Sequence, residues 1–268
     1  MKKRILIPTD FSKNAWNAIA YAADLYKREA VDFYIVHAFG KSRSSTADQQ
    51  AEIGLQKTLK LLEIKTTYPN HTYFTLALDM LPLRAIKETV ERKDIELVVM
   101  GTKGETDDKD VFYGSNTVDA MEKVRNCPVL AIPGDITYQD PNEIVFPTSY
   151  KTHYKRRELR YLFEISRITN APIRILHVQS EKNLSPLKQS NKELLENCLD
   201  GTNYSFHWLE NVSVQEGLFN FVSQRNSGMI AFINKKHQFF GSIFSNPLVK
   251  QLGMYATIPV LALHDLRN

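Results

Sequence analysis

KRILIPTDFS at residues 3–12 returns, altered but recognisable, as NEIVFPTSYK at residues 142–151, so that Pro8-Thr9 matches Pro147-Thr148. Working outward, FYIVHAF (33–39) pairs with IRILHVQ (173–179), which sets His37 opposite His177, and CPVLAI (127–132) pairs with IPVLAL (258–263). The three matches keep their order at offsets of 139 (142 − 3), 140 (173 − 33) and 131 (258 − 127) residues. Collinear matches at a common spacing are the signature of a duplicated unit. GDITYQDPNE (134–143), rich in turn formers and poor in apolar residues, reads as the linker. Two domains are therefore expected, at residues 1–138 and 139–268.

Inside the first copy, strand and helix patterns alternate. Ile5-Leu6-Ile7 is a short buried strand, and residues 14–27 place Ala15, Ile19, Ala22, Leu25 and Tyr26 on one helical face behind a Ser12 cap. Phe33–Ala38 is the second strand, followed by the polar loop 41–50 and a helix to about Thr66. Tyr73–Leu78, a helix at 82–92, Leu97–Met100, a helix from about Ser115 to Arg125, and Val129–Ile132 complete the copy. Helices of the second copy are expected near 153–168, 186–198 and 214–225. Strands joined by such helices form βαβ units. The fold class is α/β: two tandem doubly wound domains with parallel sheets, their strand order not readable from periodicity.

Composition narrows the function. The chain is 43% hydrophobic and 24% charged, as in globular proteins, and holds no apolar run long enough to span a bilayer. After the basic start, only Ile5-Leu6-Ile7 precedes Pro8, too short for a secretory signal. Cys127 and Cys198 have no metal-ligand spacing. A cytoplasmic location with no membrane partner is expected. Net charge divides unevenly: residues 1–140 carry 19 cations against 20 acids (−1), and residues 141–268 carry 15 against 10 (+5), summing to the +4 of the chain. Part of that excess lies in YKTHYKRRELR (150–160), which reads as a solvated helix start; nucleic acid is not the expected partner.

The chemistry-bearing stretch is MGTKGETDDKDVFYGSN (100–116), between the fourth strand and the fourth helix. Gly101, Gly104 and Gly114 let backbone amides approach an anion, and Ser115 opens a helix whose N-terminus presents unpaired N–H groups. In doubly wound sheets, ligands sit beyond the carboxyl ends of the strands. Pro8-Thr9-Asp10, Ala38 and this loop should meet there.

The spacing Gly101-x2-Gly104-x9-Gly114-Ser115, with ILIPTDFSKNA (5–15), VHAF (36–39) and NCPVLAIP (126–133), resembles the universal stress protein family. The likeness covers residues 3–133 well and 142–263 more loosely, so the chain resembles a tandem universal stress protein. The resemblance implies five-stranded parallel sheets of the adenine nucleotide alpha hydrolase-like kind, and an ATP site in the first domain. It also implies pairing through the last strand, made within the chain as a pseudo-dimer or between chains as a homodimer. Carried over by position, Asp10 and the backbone of Ala38 lie by the adenosine, with Pro8 and Thr9 shaping that wall. Met100 packs near the base or ribose, Gly101, Thr102, Lys103, Gly104 and Thr106 wrap the ribose and phosphates, and Gly114, Ser115 and Asn116 donate to phosphate oxygens. The loop departs from the family in carrying Glu105, Asp107, Asp108 and Asp110. Acids near a triphosphate repel it unless Mg²⁺ bridges the two. The acids either face solvent or hold such an ion, and either way AMP or adenosine becomes a more credible ligand than it would be with lysines there.

Aligned from the shared Pro-Val-Leu, the second copy carries Phe232 at Gly101, Lys235 at Gly104, Ser245-Asn246 at Gly114-Ser115 and Ser149 at Asp10. Its site is expected to be lost, and Phe232, Phe239, Phe240 and Phe244 are expected to fill a core or interface. His37 and His177 read as structural, bonding neighbouring backbone. No Gly-x-Ser-x-Gly elbow or Gly-x4-Gly-Lys-Ser/Thr loop occurs, and no catalytic residue or metal ligand set is assigned. The expected function is an adenine-nucleotide-binding (ATP or AMP) stress-response or signalling protein with an unknown protein partner, its second domain structural or partner-binding. The alternatives are an interaction scaffold that binds no nucleotide and a weak Mg-dependent ATPase with Asp10 or a loop acid on the metal.

Overall fold

The computed structural model describes residues 2–40, 46–65, 68–102, 115–178, 183–234 and 257–264. The chain divides into two compact units, Met1–Tyr138 and Gln139–Asn268. In the first, the order is β1 (Lys3–Pro8), α1 (Lys13–Leu25), β2 (Val31–Ala38), α2 (Ala47–Lys65), β3 (His71–Leu78), α3 (Pro82–Arg92), β4 (Leu97–Gly101), α4 (Ser115–Lys123) and β5 (Val129–Ile132). The strands lie in the order β3-β2-β1-β4-β5, all parallel. The chain runs outward through β2 and β3, then returns past β1 to start β4, so the switch point lies between β1 and β4. Right-handed crossovers put α1 and α2 on one face and α3 and α4, which touch each other, on the opposite one. Ile5, Leu6 and Ile7 are buried on both sides, as a central parallel strand requires.

The second unit has β6 (Ile144–Pro147), a 3-10 turn (Arg156–Leu159), α5 (Arg160–Thr169), β7 (Ile173–Val178), α6 (Pro186–Leu199), β8 (Tyr204–Leu209), α7 (Val214–Arg225), β9 (Met229–Asn234) and β10 (Val260–His264). Its order, β10-β9-β6-β7-β8, is the same arrangement. Register makes the equivalence exact to the residue. Ile5 lies beside Phe33 and Leu97, and Ile144 lies beside Ile173 and Met229.

The first helices differ. Ser12 caps α1 directly after β1, its Oγ accepting the Ala15 N–H at 3.2 Å. Ser12→Ala should cost about 1 kcal/mol, read as a lowered urea midpoint at unchanged slope. In the second unit, the helix expected over 153–168 starts only at Arg160, behind the 3-10 turn. Among the contacts that hold the intervening chain, the Tyr154 hydroxyl bonds the Thr148 hydroxyl, and the Glu158 carboxylate accepts the Lys155 N–H.

The amino end of the second sheet is closed by a buried ion cluster. Glu143, 4% exposed, accepts from Arg225 Nε and Nη2 at 2.8 and 2.7 Å, Arg174 Nε at 2.9 Å and Ser227 Oγ at 2.7 Å. Burial alone would raise this carboxyl's pKa, but the bonds from Arg225, Ser227 and Arg174 outweigh it and hold the value at about 2.

Candidate functional site at the carboxyl edge of the first sheet

β1 ends in Pro8-Thr9-Asp10, and each side chain has a distinct local task. Thr9 Oγ1 accepts the Phe11 N–H at 3.0 Å, and Asp10 Oδ1 accepts the Ser12 N–H at 3.0 Å. These two bonds turn the chain from strand into α1 through a left-handed Phe11, φ 65°. The Thr9 N–H donates to Val36 O at 2.8 Å, and His37 Nδ1 donates to Thr9 O at 2.8 Å, which fixes the Nδ1–H tautomer. His37 is thus the backbone-bonding histidine that the sequence suggested. Its ring stacks on Phe11 at 4.3 Å between centroids.

β4 reaches the same edge. Met100 and Thr102 are buried, and the Thr102 N–H donates to Ile132 O at 2.9 Å, so that amide belongs to the sheet. The packing of α1 already requires a glycine at 101: a Cβ there would lie 2.9 Å from Asn14 O and 3.0 Å from Asn14 C, in the first turn of that helix. Thr117 Oγ1, in the first turn of α4, donates to Gly101 O at 2.8 Å and moors that helix to the end of β4. Sequence reasoning missed Thr117 because nothing in its neighbours marks it. It also missed Gly54, a mid-helix glycine on which a Cβ would fall 2.4 Å from the Phe11 ring.

The strand ends of β2, β1 and β4 and the N-terminus of α4 therefore meet around the switch point. This brings together Pro8, Thr9, Asp10, Ala38, Met100, Gly101, Thr102, Ser115 and Asn116. Asp10 and Asn116 are exposed there, and Pro8 and Ala38 half-buried. Lys103, Gly104, Thr106 and Gly114, with the four loop acids, lie outside the described residues. Among the described residues no group of three metal-type ligands occurs, and no helix is long and apolar enough to cross a membrane.

Residues 1–133 match the sequence model of the universal stress protein family. They form a universal stress protein domain. A universal stress protein of Methanocaldococcus jannaschii is 27% identical over 143 residues, covering 48% of this chain and 81% of that protein. A crystal structure of a universal stress protein from Archaeoglobus fulgidus superposes with a TM-score of 0.69 at 15% identity, covering 97% of each chain. A functionally unknown protein from Pseudomonas aeruginosa gives 0.64 at 11% identity, over 98% of this chain and 92% of that one. At these identities the two structures speak to the α/β fold, which they share along the whole length.

The second unit repeats the turn at the end of β1. Thr148 N–H donates to Leu176 O at 2.8 Å, Tyr150 N–H to Thr148 Oγ1 at 3.2 Å, and His177 Nδ1 to Thr148 O at 2.7 Å. Tyr150 is left-handed like Phe11, φ 52°. The register corrects one match, however. Val98 lies beside Leu6 and Val129, and Ile230 beside Val145 and Val260, so the counterpart of Gly101 is Ile233, and Phe232 answers to Met100. Phe232 is buried at 2%, as expected of a core residue, whereas Phe239, Phe240, Phe244, Lys235, Ser245 and Asn246 lie outside the described residues. Ile233, at 4%, can stand where Gly101 must because no helix begins directly after β6.

Proposed function

We propose that this universal stress protein binds one adenine nucleotide, ATP or AMP, at the carboxyl edge of its first unit and acts in stress response or signalling through it. The second unit is structural or partner-binding. The observation that carries the reading is the convergence of three strand ends and a helix N-terminus at the switch point, tied by the Thr117–Gly101 bond. Asp10, with Oδ1 engaged by the Ser12 N–H, offers its carboxylate to ribose hydroxyls. The backbone of Ala38 faces the adenosine, and the first N–H groups of α4, at Ser115 and Asn116, meet phosphate oxygens with the favourable end of the helix dipole. Lys103, Gly104, Thr106 and Gly114 complete the enclosure. Mg²⁺ held with ATP by a loop acid is part of the same proposal.

Mass spectrometry of freshly purified, denatured protein should release an adenine nucleotide. Calorimetry with ATP, ADP and AMP, with and without Mg²⁺, then ranks the ligands. Asp10→Asn preserves the acceptor for Ser12 but removes the charge, and should weaken the best ligand about tenfold. Absence of every adenine nucleotide, with no binding heat, would establish the scaffold reading instead.

A further inference from the structure

The two units build the same corner around His37 and His177, and differ in what covers it. In each, the penultimate residue of the second strand is a histidine that donates Nδ1–H to the threonine carbonyl, and a left-handed aromatic residue packs against its ring. Phe11 stacks on His37 with centroids 4.3 Å apart, and Tyr150 packs on His177 at 4.6 Å with planes tilted by 32°. In the second unit a further ring covers the corner: Trp208 of β8, directly beside His177 in register and 36% exposed, packs on it with centroids 4.5 Å apart and planes tilted by 55°. His177 and Tyr150 are consequently buried, at 2% and 1%. The register partner of His37 in β3 is Ala77, which is exposed, and Phe11 keeps 37% exposure. Phe39 lies alongside, its ring 6.4 Å from that of His37 and nearly parallel. The first unit thus has the whole corner except the covering ring.

We propose that the His37 ring, backed by Phe11, is a stacking platform for the purine base, which takes in the first unit the place that the Trp208 indole fills in the second. Indole and purine are both flat fused five- and six-membered ring systems, and stacking on an aromatic ring requires a face rather than a particular hydrogen-bond pattern. The platform lies on β2, next to Ala38, at the edge where Asp10 turns the chain. Trp208 is then a built-in occupant, which accounts for the second corner being closed. The inference rests on the nucleotide reading above.

The test uses the full chain with ATP. In the wild type, ATP should shift the His37 ring proton signals upfield in NMR spectra, the ring-current mark of a base on its face, and inorganic tripolyphosphate should not. Ala77→Trp should supply the missing occupant and weaken ATP binding in calorimetry by roughly five- to a hundredfold. His37→Asn, which keeps a donor for Thr9 O but loses the ring, should weaken ATP similarly, while His37→Phe, which keeps a ring but loses that donor, should bind ATP more tightly than His37→Asn. ATP bound with unmoved His37 signals, or bound equally well by Ala77→Trp, would overturn the platform and leave the nucleotide reading standing. No ATP binding by the wild type would overturn both.

Discussion

Gly101→Val should destabilise the first unit by about 3 kcal/mol, the upper part of the range for overpacking a close-packed site. The added Cβ would meet Asn14 O and C at 2.9 and 3.0 Å, and these are backbone atoms that no rotamer change can move aside. Relief demands that the first turn of α1 shift, against the Ser12 cap and against Asn17 Nδ2, which donates to Pro133 O at 2.9 Å. Asp10 and Phe11 lie directly before that turn, bonded to it through the Asp10–Ser12 contact, so nucleotide binding should fall together with stability. Urea unfolding monitored by circular dichroism reads the first effect, and calorimetry the second. In the second unit the matching position is already Ile233, and there the damaging change runs the other way: Ile233→Ala should cost about 3 kcal/mol by opening a cavity. A wild-type urea midpoint for Gly101→Val would show that α1 does not press on β4 as described.

Glu143→Gln should destabilise the second unit by a similar amount. The carboxylate meets two guanidinium groups in a buried place, and removing its charge leaves Arg174 and Arg225 without their counterion. The pH dependence has a definite sign. The folded-state pKa is depressed to about 2 from the usual 4.5, so this stabilisation is present in full above about pH 4.5 and is lost as pH falls toward 2. A depression of that size corresponds to about 3 kcal/mol. Stability of the wild type should therefore decline through this acid window, and Glu143→Gln should flatten that part of the decline. Glu143 belongs to the second unit and the proposed nucleotide site to the first, so ligand affinity should stay unchanged.

Much of the architecture could be read in the chain because the duplication repeats the residues that build it. Pro8-Thr9 and Pro147-Thr148 mark the two strand ends, and the paired histidines mark the next ones, since each needs its carbonyl partner from the neighbouring strand. Strand order was not legible, because buried parallel strands carry the same apolar runs wherever they stand in a sheet. The Gly101 match slipped by one residue for a physical reason. Val98 to the paired Val129 spans 31 residues, whereas Ile230 to Val260 spans 30, so counting back from the last strand misplaces the fourth. The purpose of Gly101 was hidden for another: a glycine pressed by a helix and one approached by a ligand look alike until the neighbour is seen. The delayed start of α5 depends on a tyrosine hydroxyl and a buried glutamate folding back on the chain, contacts that no periodicity records.

The proposed function is asymmetric: one unit of a duplicated chain takes an adenine nucleotide and the other does not. Titration calorimetry of the full chain with ATP and with AMP tests it most directly, through the number of sites. One adenine nucleotide per chain is the expected result, weakened by Asp10→Asn and indifferent to Ser149→Ala at the corresponding place. Two sites per chain, or none, would contradict it.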